Sequence, residues 1–398
     1  MKATPFGISM CMFMPSYLYA SALETSNQSI ASFLQPHHYA EFSTAIVDAN
    51  ISGKTLRPDT NNPSTFTEIS TPNFTHSFYL SNVALKLQVA PQWSFGLIYD
   101  QPFGTDIGYT LEPVVTSPAD LVNAVHFKLD THNLTALVGY QPSPFWNFYT
   151  GLSYQTLETQ LKISGQSMGI LADYVADTNQ DPAMGWLTGI SYQIPEYALK
   201  TSLTYRSKIR HKPQFHEQTS SIPEIPALNL SSTQHISIAT PQSLNLEFQS
   251  GISPRNLVYT SLRWVNWKNF KMISPLMSST ESGPVNLVDY QKNQLSTTLG
   301  FAHILNEQWT TAVDIGLDSG IGNPASTLSP SDDYYSLGIG GVYHMHSNLF
   351  IAAGIKYFKL NKAKVEQNQQ GSGNLFGVLS SVNHNKAIAY GLKLGYRF

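Results

Sequence analysis

The chain has 398 residues, and its 23 basic and 26 acidic side chains make only 12% of them charged. Soluble domains carry about 25% charged residues, so about half of the usual surface charge is absent. Hydrophobic residues make up 42% and the mean hydropathy is −0.15, which excludes a helical membrane protein. A net charge of −3 provides no basic surface for nucleic acid. Low charge together with 21 Tyr, 20 Phe and 6 Trp favours a transmembrane β-barrel, with a secreted β-rich protein as the alternative.

The N-terminus has the features of an export signal. Lys2 is followed by a largely apolar stretch at residues 6–18 and by Ala20-Ser21-Ala22, which predicts a secretory signal peptide at residues 1–22. Cys11 is the only cysteine and lies within it, so the mature chain would have no disulfide, thiolate metal site or cysteine nucleophile. No later stretch approaches 18 consecutive apolar residues, so any membrane crossing must be made by strands.

The remaining chain is divided into a short N-terminal segment at residues 23–36 and a predicted all-β transmembrane barrel at residues 37–398. Apolar and polar residues alternate with period two in successive segments, for example at 309–317. Counting these segments predicts about fourteen antiparallel strands, an even number as in single-chain bacterial barrels. The predicted strands start near Tyr39, Phe78, Trp93, Phe127, Trp146, Trp186, Ala198, Ile236, Leu257, Leu295, Trp309, Tyr334, Leu349 and Ala387.

The predicted connections alternate between short turns and long loops. Short turns include Ala90-Pro91-Gln92 and Pro142-Ser143-Pro144, and tryptophans that follow such turns would form a periplasmic aromatic girdle. The long loops are rich in Ser, Thr, Asn and Gly and are expected on the external side. They lie around residues 52–75, 109–124, 164–183, 213–234, 272–292, 319–332 and 364–383.

The last strand shows the clearest alternation. Large apolar and aromatic residues from Ile388 to Phe398 are expected to face lipid, whereas Lys393 and Arg397 on the other face are expected in the lumen. A final strand that ends in Phe398 also resembles the terminal signature of bacterial outer-membrane barrels, which implies recognition by the barrel assembly machinery.

Several stretches in the same order resemble the FadL family, the outer-membrane transporters of long-chain fatty acids and other hydrophobic compounds. The similarity runs from about Gln35 to Phe398. The resemblance implies a Gram-negative outer-membrane location and passive transport of a hydrophobic ligand. The matching stretches are Asp100-Gln101-Pro102-Phe103-Gly104, Tyr205-Arg206-Ser207-Lys208-Ile209-Arg210-His211-Lys212, Ala239-Thr240-Pro241-Gln242-Ser243, and 262–267 followed by Phe270.

Two departures from the family pattern concern the plug and the fifth strand. Family members carry a plug of roughly forty residues with an Asn-Pro-Ala motif, whereas Asn27-Gln28-Ser29 stands here in a much shorter segment. The residual plug at 23–36 therefore puts regulated opening in question. A basic residue expected in the outer part of the fifth strand is replaced by Glu158, with Lys162 nearby.

The stretch Pro102-Phe103-Gly104 is the predicted strand interruption. Proline lacks a ladder donor and glycine lacks a side chain, so strand pairing is expected to break there. The family resemblance implies that a gap in the third strand releases ligand sideways. A simple bulge that adjusts barrel curvature is the alternative.

The ligand-binding residues are predicted in two apolar loops and at three basic positions. Met168, Ile170 and Leu171 lie in one loop and Ile225 in the next, and the family resemblance implies that these two loops form an external docking groove. Packing of the two loops on each other is the alternative. Candidates for the ligand head group are Arg206 and Arg263, which alternation places in the lumen, and Lys292, which resembles a family position by its spacing before Leu299-Gly300. Each could instead be a solvated or ion-paired residue of the barrel.

The histidines and acidic residues form no recognisable catalytic or metal-binding spacing, so we expect no enzyme, no cofactor and no metal site. The leading hypothesis is facilitated diffusion of long-chain fatty acids through a monomeric barrel in contact with outer-membrane lipid. Uptake of aromatic or aliphatic hydrocarbons is the second hypothesis, and a non-selective porin or an adhesin is the third.

Overall fold

The computed structural model describes residues 23–58, 66–110, 124–164, 174–219, 230–280, 283–322, 328, 332–364 and 381–398. These residues form strands almost throughout, as the period-two pattern predicts. The first twelve strands are β1 (Tyr39–Pro58), β2 (Phe66–Thr71), β3 (Phe78–Ala90), β4 (Trp93–Asp100), β5 (Gly104–Thr110), β6 (Ala124–Tyr140), β7 (Trp146–Ser164), β8 (Tyr174–Thr178), β9 (Asp181–Ile194), β10 (Leu199–Arg206), β11 (Ile209–His211) and β12 (Gln214–Thr219).

The second half of the chain continues in the same way. Its strands are β13 (Leu230–His235), β14 (Ile238–Thr240), β15 (Ser243–Ser253), β16 (Asn256–Val265), β17 (Lys271–Ser274), β18 (Val285–Asp289), β19 (Gln294–Ile304), β20 (Trp309–Asp318), β21 (Tyr334–His344), β22 (Leu349–Leu360), β23 (Ala363–Lys364) and β24 (Ser381–Arg397). A short helix, α1 (Pro275–Thr280), and two 3₁₀ turns at Pro195–Tyr197 and Trp267–Asn269 complete the described elements.

The wall is a closed antiparallel barrel of fourteen strands, which confirms the predicted fold class. Some wall strands consist of two labelled pieces, such as β4 with β5 and β8 with β9. The first and last strands close the barrel, because β1 pairs with β24 from Tyr39↔Arg397 to Lys54↔Ser381. Among the described residues the first and last strands are therefore not free sheet edges, as strands that cross a bilayer require.

The two faces of β24 follow the predicted alternation. Tyr390, Leu392 and Leu394 are exposed on the outer face, whereas Ala389 and Gly395 on the other face are buried. Lys393 lies on the inner face, where its Nζ is 3.4 Å from a carboxylate oxygen of Glu41 on β1. An apolar exterior with a small and polar interior is the arrangement of a membrane barrel.

Aromatic pairs mark the end of the barrel that carries the short turns. Trp93, Trp146 and Trp309 each begin a strand and lie directly opposite a tyrosine at the end of a neighbouring strand. The ring centroids in these pairs are 4.8, 4.7 and 4.8 Å apart. Facing aromatic residues stabilise antiparallel pairs, and at this level they form the expected girdle. The opposing tyrosines are Tyr140, Tyr192 and Tyr343.

The predicted strand starts are least accurate near the long loops. The predicted start at Ile236 is wrong, because Ile236 lies between two short strands that do not belong to the long strand Ser243–Ser253. β6 and β24 begin earlier than Phe127 and Ala387, because the barrel continues where its outer face is polar and the lipid-facing signal is lost. Among the described residues, no helix has the length and apolar character needed to span a membrane.

We predict that Phe398 is required for efficient assembly. Its ring stacks on His38 and Tyr396, at centroid distances of 5.3 and 5.7 Å, and its backbone N–H donates to the His38 carbonyl. Deleting Phe398 removes these contacts at the point where the last strand joins the first. The fraction of heat-modifiable, folded barrel on electrophoresis should therefore fall, whereas Phe398→Tyr, which keeps the ring, should fold as the wild type does. An unchanged folded fraction after deletion would contradict this role.

Candidate functional site

An aromatic cluster occupies the barrel interior toward the long-loop end. Trp267 is fully buried and meets the rings of Phe103, Phe270 and Tyr290 edge-on at 5.5, 5.4 and 5.3 Å. Inward-facing residues of β6, such as Phe127, belong to the same buried apolar cluster. A water-filled channel is lined by polar groups, so this interior is chemically suited to an apolar molecule.

The segment between β16 and β19 is fixed over this cluster by Glu217, a buried carboxylate on β12. Glu217 accepts hydrogen bonds from the Leu276 backbone N–H at 2.9 Å, from the Tyr174 hydroxyl at 2.6 Å and from the Ser274 hydroxyl. Charge-assisted bonds of this kind are stronger than neutral ones. They hold α1 and β17 against β8 and β12, which keeps the interior covered at this end.

The N-terminal segment, residues 23–35, lies inside the barrel and contacts strands from several parts of its wall. Backbone carbonyls of this segment accept hydrogen bonds from wall side chains. Asn245 donates to Asn27, Lys200 to Leu34 and Lys86 to Gln35, at 2.7, 2.7 and 2.6 Å. These bonds tie the segment to three separate strands.

Phe33 anchors the C-terminal part of the segment, because its ring packs in a notch, the space that two wall glycines leave free. A Cβ on Gly96 or on Gly139 would lie 2.5 or 2.9 Å from the Phe33 ring, too close for any side chain. The ring also meets Tyr149 edge-on at 6.1 Å. The absence of side chains at 96 and 139 therefore lets the segment approach β4 and β6 closely.

A buried ion pair fixes the start of the segment. The Glu24 carboxylate pairs with the guanidinium of Arg263 on β16, and the two side chains are 0% and 3% exposed. Arg263 also donates to Ser243, Asn245 and Gln28, at 3.1, 2.6 and 3.2 Å. Removing one partner of such a pair leaves an uncompensated charge, which costs about 3–5 kcal/mol.

The third wall strand is interrupted between β4 and β5. β4 pairs with both β3 and β6, whereas β5 pairs along its length with β6 alone. The residues of β3 opposite the interruption, 78–82, pair with β1 on their other side. Across the interruption they are joined by one described bond, from the Ser81 backbone N–H to Gln101 Oε1 at 3.0 Å. We call the stretch between 78–82 and 101–105 the wall opening.

The backbone at the interruption is satisfied from inside the barrel. The Gly104 N–H donates to the Leu23 carbonyl at 2.7 Å, and the Pro102 carbonyl accepts from the Thr25 N–H at 3.0 Å. The Thr131 hydroxyl accepts from the Phe103 N–H and donates to the Phe103 carbonyl, at 2.9 and 2.6 Å. The N-terminal segment and one wall side chain therefore replace the missing strand neighbour.

The wall opening has a defined margin at each end. On the short-turn side the β3–β4 ladder begins at Val83↔Tyr99. On the long-loop side the chain between β2 and β3 pairs with β5, through the bridge Thr75↔Ile107 and a 2.8 Å bond from the Gly108 N–H to the Phe74 carbonyl. Phe103 lies between these margins and reaches the aromatic cluster, so the opening adjoins the apolar interior.

The three predicted basic residues lie in different surroundings. Arg206 and Arg263 are both buried inside the barrel, whereas Lys292 is exposed and its Nζ donates to the Ser319 carbonyl at 2.6 Å. Arg206 donates to the Gln28 carbonyl at 3.0 Å, and its Nε has no hydrogen-bond partner among the described residues. Arg206 and Phe103 line the same small cavity. The predicted loop residues Met168, Ile170, Leu171 and Ile225 lie outside the described residues.

Sequence reasoning missed a second departure from the wall. β10 ends at Arg206, and β11 turns inward to pair with β14 in a separate two-stranded sheet. His211 is buried, and its Nε2 is 3.1 Å from Oε1 of Gln155, within hydrogen-bonding distance. Gln155 is an inward-facing residue of β7. The polar residues around Arg206 give no proline or glycine signal, so only the three-dimensional pairing reveals this departure.

The closed barrel, the apolar interior and the segment inside it together define an outer-membrane transport channel. The sequence model described as "Outer membrane protein transport protein (OMPP1/FadL/TodX)" matches residues 24–398, so the chain belongs to this family. The family transports hydrophobic compounds across the Gram-negative outer membrane, where this protein is therefore located. Family and fold are those of transport channels and not of enzymes.

Solved structures show the same fold at low sequence identity. The crystal structure of a Pseudomonas aeruginosa FadL homologue has a TM-score of 0.72 at 16% identity, covering 98% of this chain and 96% of that one. The Pseudomonas putida toluene transporter TodX has a TM-score of 0.62 at 14% identity, with coverage of 100% and 99%. The Ralstonia pickettii toluene transporter TbuX has a TM-score of 0.60 at 11% identity, covering 98% of both chains. No match was found among curated proteins.

We predict that Glu24 holds the N-terminal segment at the wall opening. Glu24→Ala should leave Arg263 buried without its carboxylate, at a cost of about 3–5 kcal/mol. The amides of Thr25 and Gly104 should then exchange faster in hydrogen-exchange mass spectrometry. Glu307→Ala, in an exposed turn, is the control. Unchanged exchange at Gly104 in Glu24→Ala would mean that the ion pair does not hold the segment.

Proposed function

We propose that this protein takes up long-chain fatty acids or similar hydrophobic ligands by facilitated diffusion and releases them sideways through the wall opening. Ligand enters from the long-loop end, crosses the apolar interior and leaves between β3 and β5. The family supports transport of hydrophobic compounds. The continuity between the aromatic cluster and the opening, through Phe103, supports the lateral route.

The energetics of an apolar ligand favour this route. Each methylene transferred from an apolar environment to water costs about 0.8 kcal/mol, so a long alkyl chain is strongly opposed to an aqueous path. A gap in the wall next to an apolar interior lets the chain pass directly toward lipid. A channel open along its axis would offer no such advantage.

The N-terminal segment acts in this proposal as the closure of the route. Its backbone occupies the position of a strand neighbour at the interruption, through Leu23 and Thr25, and Glu24 fixes it to Arg263. Passage of ligand requires these bonds to open and re-form. The small number of bonds at the opening, in contrast with the continuous ladders elsewhere, makes such an exchange accessible.

Arg206 is the residue that we assign to the ligand carboxylate. Arg263 forms a direct ion pair with Glu24 and Lys292 is exposed, whereas Arg206 interacts with the carboxyl groups of Asp100 and Glu247 at longer range. Arg206 is buried, lines the cavity beside Phe103 and has a free Nε donor among the described residues. A guanidinium binds a carboxylate with two parallel hydrogen bonds, which fixes the head group while the chain lies in the apolar interior.

Capture by the external loops remains part of the proposal. Met168, Ile170 and Leu171, with Ile225 of the next loop, would supply apolar contacts to an arriving ligand. The wall closes within a single chain, so transport by a monomer needs no partner subunit.

Uptake of monoaromatic hydrocarbons is the second candidate function. Two of the structural relatives are described as toluene transporters. The cluster of Trp267 and the three aromatic rings that meet it would suit a flat aromatic ligand. A hydrocarbon has no carboxylate, so in this case Arg206 would be dispensable. Competition between oleate and toluene for the purified protein separates the two functions.

We predict that Arg206→Met weakens oleate binding selectively. Loss of a hydrogen bond to a charged group costs about 1.5–3 kcal/mol, which is roughly a ten- to hundredfold change in affinity. Toluene binding should remain unchanged, because toluene has no group for Arg206 to bind. Lys292→Met is the matched control, with unchanged affinity for both ligands. Equal oleate affinity in wild type and Arg206→Met, measured by calorimetry in detergent, would exclude this role of Arg206.

We predict that restoring a regular strand closes the lateral route. Pro102→Thr returns a backbone donor, and Gly104→Val adds a β-branched side chain, whose Cβ would lie 3.2 Å from the Leu129 carbonyl. Fatty-acid uptake by cells that carry the double variant should approach the level of cells without the protein. The barrel should still fold, with its thermal stability lowered only slightly by the tight contact at residue 104.

The control for this variant removes a proline and a glycine elsewhere. Pro195 lies in a short turn, and a Cβ on Gly341 would be at an ordinary 3.5 Å from the Thr310 carbonyl. Pro195→Thr with Gly341→Val should therefore transport as the wild type does. Wild-type uptake by the Pro102→Thr, Gly104→Val variant, at equal protein level, would show that ligand leaves by another path.

A further inference from the structure

Two histidines and an aspartate meet on the outer side of the wall, at the long-loop margin of the wall opening. Asp106 Oδ1 is 2.9 Å from His76 Nδ1 and 3.0 Å from His126 Nε2. The three potential ligand atoms all lie within 4.8 Å of one another. His76 and His126 are 30 and 20 positions from Asp106 in the chain, on opposite sides of it, so no sequence spacing reveals the cluster.

The fold places the three side chains by backbone pairing. Asp106 lies on β5 and His126 on the adjacent β6, while His76 lies in the connection that pairs with β5. The His76 N–H donates to the Asp106 carbonyl at 3.4 Å. The three residues therefore belong to three chain segments that are already held side by side.

Gly108 leaves the space in which the two imidazole rings approach. It lies directly opposite His126 in the β5–β6 ladder. A Cβ at this position would be 3.2 Å from His76 Cε1 and 3.6 Å from His126 Cδ2. Even an alanine would thus contact both rings and press on His76.

We propose that His76, Asp106 and His126 bind a zinc ion or a similar borderline divalent cation. Two imidazole nitrogens and a carboxylate oxygen form a ligand set that zinc accepts at about 2.0–2.2 Å. Ligand atoms of a tetrahedral ion at this distance lie roughly 3.2–3.5 Å apart, close to the two separations of 2.9 and 3.0 Å from Asp106, and the two imidazole nitrogens lie within 4.8 Å of each other. Small shifts of exposed side chains are enough to admit the ion between them.

The surroundings of the cluster suit a site with three protein ligands. The side chains of His76, Asp106 and His126 are 59%, 26% and 39% exposed, so water can complete the coordination. Two lysines lie on the same outer face: Lys128, opposite Asp106, is paired with Asp130 at 2.9 Å, and Lys162, opposite His126, is exposed to solvent that screens its charge. Magnesium prefers six oxygen ligands and is not matched by two imidazoles.

A bound ion would join the two sides of the opening at this margin. His76 precedes β3, whereas Asp106 and His126 belong to the strands on the other side. Few described backbone hydrogen bonds join the two sides at this margin; one runs from the Gly108 N–H to the Phe74 carbonyl. Zinc would therefore protect these amides from exchange.

The test measures zinc binding directly, with the full chain purified in detergent without a histidine tag. Calorimetric titration with ZnCl₂ should show a saturable site in the wild type. Asp106→Asn and His126→Ala should each weaken it by at least about tenfold, since even loss of a second-shell partner typically costs 10–100-fold. His132→Ala, on the same outer face of β6 but outside the cluster, is the control with unchanged affinity.

Hydrogen exchange supplies the second measurement. Zinc should slow exchange of the His76 and Gly108 amides in the wild type and in His132→Ala, but not in Asp106→Asn, and MgCl₂ should have no such effect. Zinc binding that is equally strong in the wild type, Asp106→Asn and His126→Ala, or no saturable binding by folded wild type, overturns the proposal. In that case the three residues form a hydrogen-bonded cluster only.

Discussion

The structure depends on one constraint: a backbone polar group in the membrane must find its partner within the protein, because lipid offers none. The closed wall meets this constraint by hydrogen-bonded ladders between neighbouring strands, including those of β24 with β1 and with β22. The interruption at 101–103 meets it differently. There the partners of Pro102, Phe103 and Gly104 come from the N-terminal segment and from the Thr131 hydroxyl, so these backbone groups keep hydrogen bonds at the break.

The N-terminal segment and Phe103 connect three features of the barrel: the interrupted strand, the ion pair with Arg263 and the apolar interior. The same residues, Leu23 to Thr25, satisfy the broken strand and connect through Glu24 to Arg263 on the far wall. Phe103 at the break also packs on Trp267 in the apolar interior. A ligand in that interior is thus adjacent to the weakest part of the wall, and displacement of the segment affects both the closure and the charge inside the barrel.

The sequence predicts the barrel well because the signal is repeated on every strand. Alternation along β24 and tryptophans such as Trp93 after short turns are local features, and both agree with the structure. The prediction fails near Ile236, where the chain leaves the wall and no lipid-facing row marks a strand.

The candidate site is only partly readable from the sequence. Proline and glycine at 102 and 104 mark the interruption, and alternation places Arg206 and Arg263 inside the barrel. The partners of Arg263 could not be predicted, because Glu24 is more than 200 residues away in the chain. The notch for Phe33 likewise arises from glycines on two separate strands.

The most direct test of the account locates the ligand as it leaves. Cells that express the protein take up a fatty acid with a photoreactive diazirine near its methyl end, and the cross-linked peptides are identified by mass spectrometry. The account predicts cross-links to residues 78–82 and 101–105, on both sides of the wall opening, together with Trp267. Cross-links confined to inward-facing residues at the short-turn end, such as Tyr39, with none at the opening, would contradict lateral release.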